Sequence, residues 1–228
     1  MTKVCYLGHS GFTVETDNYF LVFDYVESHV DDSFGIIDVV EQKKIDFSKI
    51  KKPVIMFNSH EHFDHYNASI NRLYSRGSNF FTILGDIESN FQNTKSMKPR
   101  EYFKYKDIDV YTGSSTDVGV CFLIKVDGVV IYFAGDNIDW GDVESGKNYY
   151  KEIDYLASIC SNVDMAFVPV CNYFGEMSKS ITDSAIYAIE KLNAKKCYPM
   201  HCALGKQVYG MFEDEVKSRK IKTDVVIL

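Results

Sequence analysis

Apolar and polar positions alternate in short stretches through the first half of the chain, which is the pattern of strands with one face buried. Lys3 to Leu7, Phe12 to Glu15 and Tyr19 to Phe23 each predict a strand, parted by Gly8–Gly11 and Asp17–Asn18, both of turn composition. Residues 25 to 45 break the alternation with an acidic, irregular run, long enough to read as a loop covering a site. The unbroken apolar run Pro53 to Phe57 predicts a fully buried strand. Ala68 to Arg76 follows as a short helix ended by Gly77, then Phe80 to Leu84 as a strand and Asp86 to Gln92 as a helical turn.

A second strand group comprises Asp109 to Tyr111, Val118 to Val126 and Val129 to Phe133, with Asp127–Gly128 as a hairpin turn. The period then lengthens. Helices are predicted over Asn148 to Cys160, Asp183 to Leu192 and Lys206 to Ser218, with strands at Val163 to Val168, Lys196 to Pro199 and Val225 to Leu228. Strands followed by helices in each half predict two sheets packed face to face with helices outside, a four-layer α/β/β/α sandwich. With no repeat, no low-complexity tract and only four prolines, the 228 residues read as a single domain spanning 1–228.

Charge and composition narrow the partners. A net charge of −7 and a pI near 5.4 disfavour a nucleic-acid backbone, because no broad basic face is available for phosphates. The lysines at 43, 44, 49, 51 and 52 are interleaved with Glu41 and Asp46 and read as a solvated edge. No apolar stretch is long enough to span a bilayer, and no signal segment opens the chain. The six cysteines form no C-x-x-C pair, and Cys5, Cys121 and Cys197 sit in apolar runs. Reduced thiols and a cytoplasmic location are expected.

The chemistry concentrates in His60-Glu61-His62-Phe63-Asp64-His65, which holds three of only six histidines. The cluster sits where the strand over 53 to 57 ends. Side chains two apart on an extended segment point the same way, so His60 and His62 converge on one point. A turn after Phe63 brings Asp64 and His65 toward a second. Neutral imidazole and carboxylate are ligands of zinc, manganese and iron, so one or two divalent transition metals are implied. The H-E-x-x-H zinc motif is missed by one position, because Asp64 stands where its second histidine belongs. Two further strand ends carry candidate groups: Gly135-Asp136, which also reads as an ordinary turn, and Pro199-Met200-His201.

The order H-x-H-x-D-H, then a strand ending Gly-Asp, then a strand ending Pro-Met-His, resembles the metallo-β-lactamase superfamily over nearly the whole chain. Gly8-His9-Ser10 with Phe23-Asp24 is similar to its small stand-alone hydrolases, among them the ascorbate-6-phosphate lactonases. The resemblance implies His60 and His62 on a first metal, Asp64, His65 and His201 on a second, and Asp136 between them. It implies a metal-activated water as nucleophile, Asp64, His201 and His9 as the catalytic set, and Asp24 as a supporting hydrogen-bond partner. The substrate would be a small ester, lactone or phosphoester.

One element of the family pattern is missing. A further histidine normally precedes the strand leading to Gly-Asp, yet Tyr111 to Asp117 contains none. Asp117 is a chemically reasonable substitute and equally a loop-capping residue before Val118. Alternatives to the small-molecule hydrolase are a phosphodiesterase or nuclease on the same scaffold and a non-catalytic metal-binding domain. A flavodiiron oxidoreductase is disfavoured, because that branch carries Glu where His62 stands and adds a flavin domain. Glu27, Asp31, Asp32 and Asp38, with Trp140, Tyr149, Tyr150, Tyr173 and Phe174, are candidate pocket residues, the aromatics also reading as plain core. Oligomeric state is not legible.

Overall fold

Strands form where the apolar runs lie in the computed structural model, which describes residues 2–31, 38–172, 175–202 and 206–228. The chain divides into two compact units, Met1–Met97 and Lys98–Leu228.

The first unit contains β1 (Lys3–Gly8), β2 (Gly11–Glu15), β3 (Phe20–Phe23), β4 (Ser28–Asp31), β5 (Asp38–Glu41), β6 (Val54–Asn58), α1 (Ala68–Tyr74), β7 (Phe80–Gly85) and β8 (Thr94–Met97). Its main sheet runs in the order β1-β2-β3-β6-β7-β8, antiparallel as far as β3 and parallel from β3 to β8. One face buries Phe20, Val22, Val54 and Met56 with Leu7, Tyr25 and Ile70, and Phe47, Tyr74 and Phe80 pack against that cluster. Leu21, Phe23, Ile55 and Phe57, on the opposite face, are also buried, which is why the β6 run carries no polar alternation. The parallel pairing matters for chemistry: Phe23 is in register with Phe57, so the carboxyl ends of β3 and β6 release Asp24 and Ser59 side by side.

The second unit contains β9 (Tyr102–Tyr105), β10 (Ile108–Ser114), β11 (Val120–Val126), β12 (Val129–Phe133), α2 (Val143–Ile159), β13 (Met165–Pro169), α3 (Lys179–Lys191), β14 (Lys196–Met200), α4 (Lys206–Ser218) and β15 (Asp224–Val225). The sheet order is β15-β14-β13-β12-β11-β10-β9, with β9 to β12 antiparallel and β12 to β15 parallel. Asp136 and His201 therefore leave the same edge of this sheet, at the carboxyl ends of β12 and β14. Because β11 runs against β12, the β10–β11 loop lies at that edge too. Helix α2 lays Tyr149, Ile153 and Leu156 against β10 and α3.

Among the described residues, two large sheets and four α-helices give the mixed α/β composition expected from the sequence. Several boundaries differ. The run 25–45 is not wholly irregular: β4 and β5 pair antiparallel within it. Residues 86–92 hold no helix, since Asp86 adopts φ 54° and turns the chain away from the helical region at its first residue. Helix α2 starts five residues earlier than its apolar period implies, because Asp142 caps it by accepting the amides of Glu144 and Ser145. Helix α3 likewise begins at Lys179, capped by Ser178.

Candidate metal centre

In the first unit, the turn joining β1 to β2 carries His9 at φ 51°. Buried Gln42 holds this turn in place. Its Oε1 accepts the amide of Val26 at 2.9 Å, and its Nε2 donates to the carbonyls of Asp24 at 2.9 Å and Gly8 at 3.4 Å. A Cβ at Gly11 would run into the Gln42 amide, and one at Gly8, whose φ is +132°, would stand 2.9 Å from the Glu41 carbonyl. Both glycines flanking His9 are thus required by Gln42 and the strand beside it. Held this way, His9 Nε2 lies 2.9 Å from Asp64 Oδ2.

Asp24 is fully buried. Its carboxylate accepts the Ser59 amide at 2.8 Å and the Ser59 hydroxyl at 2.7 Å, and meets His65 Nδ1 at 2.6 Å. Burial pushes the Asp24 carboxyl above its ordinary value, while His65 and then Ser59 pull it back. The Nδ1 contact turns His65 Nε2 the other way, to 3.4 Å from Asp64 Oδ2. The ring is fixed a second time by its backbone, whose carbonyl accepts Asn58 Nδ2 at 3.1 Å. His60 is oriented similarly: Ser59 Oγ lies 3.0 Å from its Nδ1, and its Nε2 lies 3.0 Å from His62 Nδ1. The turn itself closes through the amides of His65 and Tyr66 onto the His62 carbonyl. Asn67 then caps α1.

In the second unit, Gly135 at φ 53° bends the chain after β12, and Asn137 donates its amide back to the Ala134 carbonyl at 3.1 Å. Asp136 emerges from this turn almost fully buried. His201, at φ 67° after β14, brings Nε2 to 3.3 Å from Asp136 Oδ1. Trp140 stands edge-on to the His201 ring, and its indole nitrogen is buried without a hydrogen-bond partner among the described residues.

These spacings suit a metal. Two donors about 2.0–2.1 Å from one ion at the tetrahedral angle are roughly 3.3 Å apart. The His60–His62, His65–Asp64 and His201–Asp136 donor pairs stand at 3.0, 3.4 and 3.3 Å. A buried carboxylate on the far nitrogen of His65 is the usual support of a metal-binding imidazole. The donor set is nitrogen and carboxylate oxygen throughout, with no thiolate in these pairs.

Within the first unit, the structure brings together His60 with His62, and His9 with Asp64 and His65; within the second, it brings Asp136 together with His201. Gln42 was missed, lying in a stretch whose composition reads as loop. Of the two readings of the α2 aromatics, the core one fits: Tyr149 is buried with its hydroxyl donating to the Ser184 carbonyl at 2.8 Å, and Tyr150 packs edge-on against Tyr187. Both turn toward α3, Tyr149 buried and Tyr150 half-buried. Glu27 pairs with Lys44 at 2.7 Å. Tyr173, Phe174 and the side chains of Asp31, Asp32 and Asp38 lie outside the described residues. None of the six cysteines is in a disulfide, and no helix among the described residues is long and apolar enough to cross a membrane.

This constellation of strand-end histidines and aspartates on a two-sheet α/β fold defines a class. A β-lactamase superfamily domain matches residues 3–201, and the chain belongs to the metallo-β-lactamase superfamily. Over its whole length it is 21% identical to a UPF0173 metal-dependent hydrolase of Pyrococcus furiosus, covering 96% of that protein. Among solved structures it is similar in fold to the metallo hydrolase Igni18 of Ignicoccus hospitalis, with a TM-score of 0.66, 18% identity and coverage of 100% of this chain and 94% of that one. A metal-dependent hydrolase described as putative, from Parabacteroides distasonis, gives a TM-score of 0.64 at 18% identity, with coverage of 99% and 91%.

Proposed function

We infer that the protein is a metal-dependent hydrolase of the metallo-β-lactamase superfamily, acting on a small ester, lactone or phosphoester. The Asp24–His65 contact carries this reading. A fully buried carboxylate committed to one nitrogen of a histidine prepares the other nitrogen for a cation, and a merely structural histidine has no need of it.

This reading takes the 228 residues as one domain over 1–228. In this reading His60 and His62 would hold one divalent ion and Asp64, His65 and His201 another, with Asp136 as a further ligand. Zinc is the ion favoured by the imidazole count, with manganese and iron as the other candidates. Such ions supply Lewis acidity and lower the pKa of a bound water, the chemistry a hydrolase needs. The chain's own residues do the rest. Ser59 and Asp24 keep the rings of His60 and His65 from rotating. His9 holds Asp64 Oδ2, fixing that carboxylate's orientation. Trp140 offers an indole N–H beside His201 to a substrate oxygen. Six cysteines outside any disulfide fit a cytoplasmic protein.

The test is metal analysis of the purified chain followed by turnover assays on lactones, aryl esters and bis-aryl phosphodiesters, before and after chelation. Chelator-sensitive turnover of lactone or ester supports the reading. Turnover of phosphodiesters alone would favour a phosphodiesterase on the same scaffold. Metal binding without any turnover would leave a metal-binding domain.

A further inference from the structure

We propose that Asp117 is a metal ligand, standing where the superfamily pattern has a histidine and giving one ion of the centre an oxygen-rich shell. This rests on the metal-dependent reading above and names the residue that reading lacks.

The observations lie in the β10–β11 loop, which is held at two points. At its start, the Ser114 amide donates to Glu152 Oε2 at 3.0 Å, and Glu152, buried on α2, is itself gripped by Arg100, whose Nη2 lies 2.7 Å from Oε1. In its middle, the Thr116 hydroxyl donates to the Ile138 carbonyl at 2.6 Å and accepts the Ile138 amide at 3.0 Å. It also lies 3.4 Å from the Asp136 carbonyl. Thr116 thus staples the loop onto the segment that carries Asp136.

The consequence falls on the next residue. Asp117 presents a carboxylate oxygen within 4.8 Å of one from Asp136. Two carboxylates brought that close by a rigid loop repel one another, and a cation between them reverses the sign of the interaction. Asp136 Oδ1 also stands 3.3 Å from His201 Nε2, so the pair extends an existing donor group. Ser115 Oγ also accepts the Asp117 amide at 3.3 Å, tying this residue into the loop.

Oxygen in place of imidazole has a chemical consequence. The ion sharing Asp136 and Asp117 receives two carboxylates, which moves its preference from zinc toward manganese or iron(II). The two ions of the centre then differ in hardness, and a mixed-metal centre becomes the expected state.

The test titrates chelated full-length chain with manganese and zinc separately, by calorimetry and, for manganese, by electron paramagnetic resonance. Wild type, Asp117→Asn, Asp117→His and Thr116→Val are compared, with circular dichroism confirming that each is folded. Asp117→Asn should weaken one metal equivalent by at least about 10–100-fold and leave the other. Asp117→His should recover tight zinc at that equivalent while losing manganese. Thr116→Val should fall between. Wild-type titration curves from Asp117→Asn and Asp117→His with both metals would overturn the assignment. A wild-type chain that binds neither metal would instead overturn the metal reading itself, and this proposal with it.

Discussion

His65 Nδ1 and Asp24 Oδ2 meet at 2.6 Å with both side chains fully removed from solvent. Neither residue is near the other in sequence, and the contact exists because β3 and β6 are parallel neighbours ending in register. The pair converts sheet topology into control of one imidazole. Asp24→Asn keeps the volume and removes the charge. Metal affinity is expected to drop about 10–100-fold, read by competition with a chromogenic chelator. Asp24→Ala should in addition cost about 1–3 kcal/mol of apo-protein stability, because Ser59 and His65 lose a buried acceptor. An affinity unchanged in Asp24→Asn would remove the supporting role assigned to this carboxylate.

Gln42 makes a second prediction. Its amide serves the carbonyls of Asp24 and Gly8 and the amides of Val26 and Glu27. Gln42→Leu leaves those groups without their partner and should destabilise the protein by about 2–4 kcal/mol in urea unfolding. Gly11→Ala should act in the same direction by about 1–3 kcal/mol, since the added methyl meets the Gln42 amide. A Gln42→Leu variant as stable as wild type would show that the turn of His9 is held by something else.

Metal should stabilise the fold by mass action. At a free ion concentration of about 100 times Kd the gain is about 2.7 kcal/mol. For a chain of this length that corresponds to a rise in Tm of roughly 5–10 °C. Differential scanning calorimetry of chelated and reloaded protein measures it. His65→Ala should lose most of the shift; a full shift in that variant would exclude His65 from the ligand set.

Alkaline stability depends on Cys121. Burial, reinforced by nearby Glu152, pushes its thiol from an ordinary 9.0 up to about 12. Burial also raises Tyr132, Tyr149 and Cys197. A raised folded-state value means that the folded chain binds the proton more tightly. The associated stability is whole below pH 9 and is lost as pH climbs toward 12. Wild type should lose about 1.4 kcal/mol per pH unit more than Cys121→Ala across that window. Parallel unfolding curves for the two would refute the assignment. In native protein near pH 8, a thiol reagent should find Cys5 and Cys160, which are half-buried, well before the four buried cysteines.

The sequence was legible where one element supplied its own signal. His60 to His65 follows an apolar run with no polar break, so strand, turn and donors were read from a dozen consecutive residues. The family order of Gly135-Asp136 and Met200-His201 rested on the same strand-end logic. What escaped depends on chain-distant pairing. Gln42 is polar, follows an acidic run, and becomes a buried hub only because the strand beside it passes under the β1–β2 turn. Tyr149 and Tyr150 carried both a pocket and a core reading, because aromatic clustering does not say which face of a helix is buried. The early start of α2 was hidden by Gly146, a poor helix former tolerated where Asp139 crowds the backbone; the cap at Asp142 outweighs it.

Three of the candidate site's residues, His9, Asp24 and His201, are among those in the left-handed region, with φ of 51°, 41° and 67°. Each conformation costs roughly 1–2 kcal/mol against an ordinary backbone, and glycine would relieve it. A breeder selecting this protein for heat resistance alone would find those three positions inviting. The survivors of such a screen would be hardier than the parent and chemically silent, so any thermostability campaign has to carry an activity screen at every round.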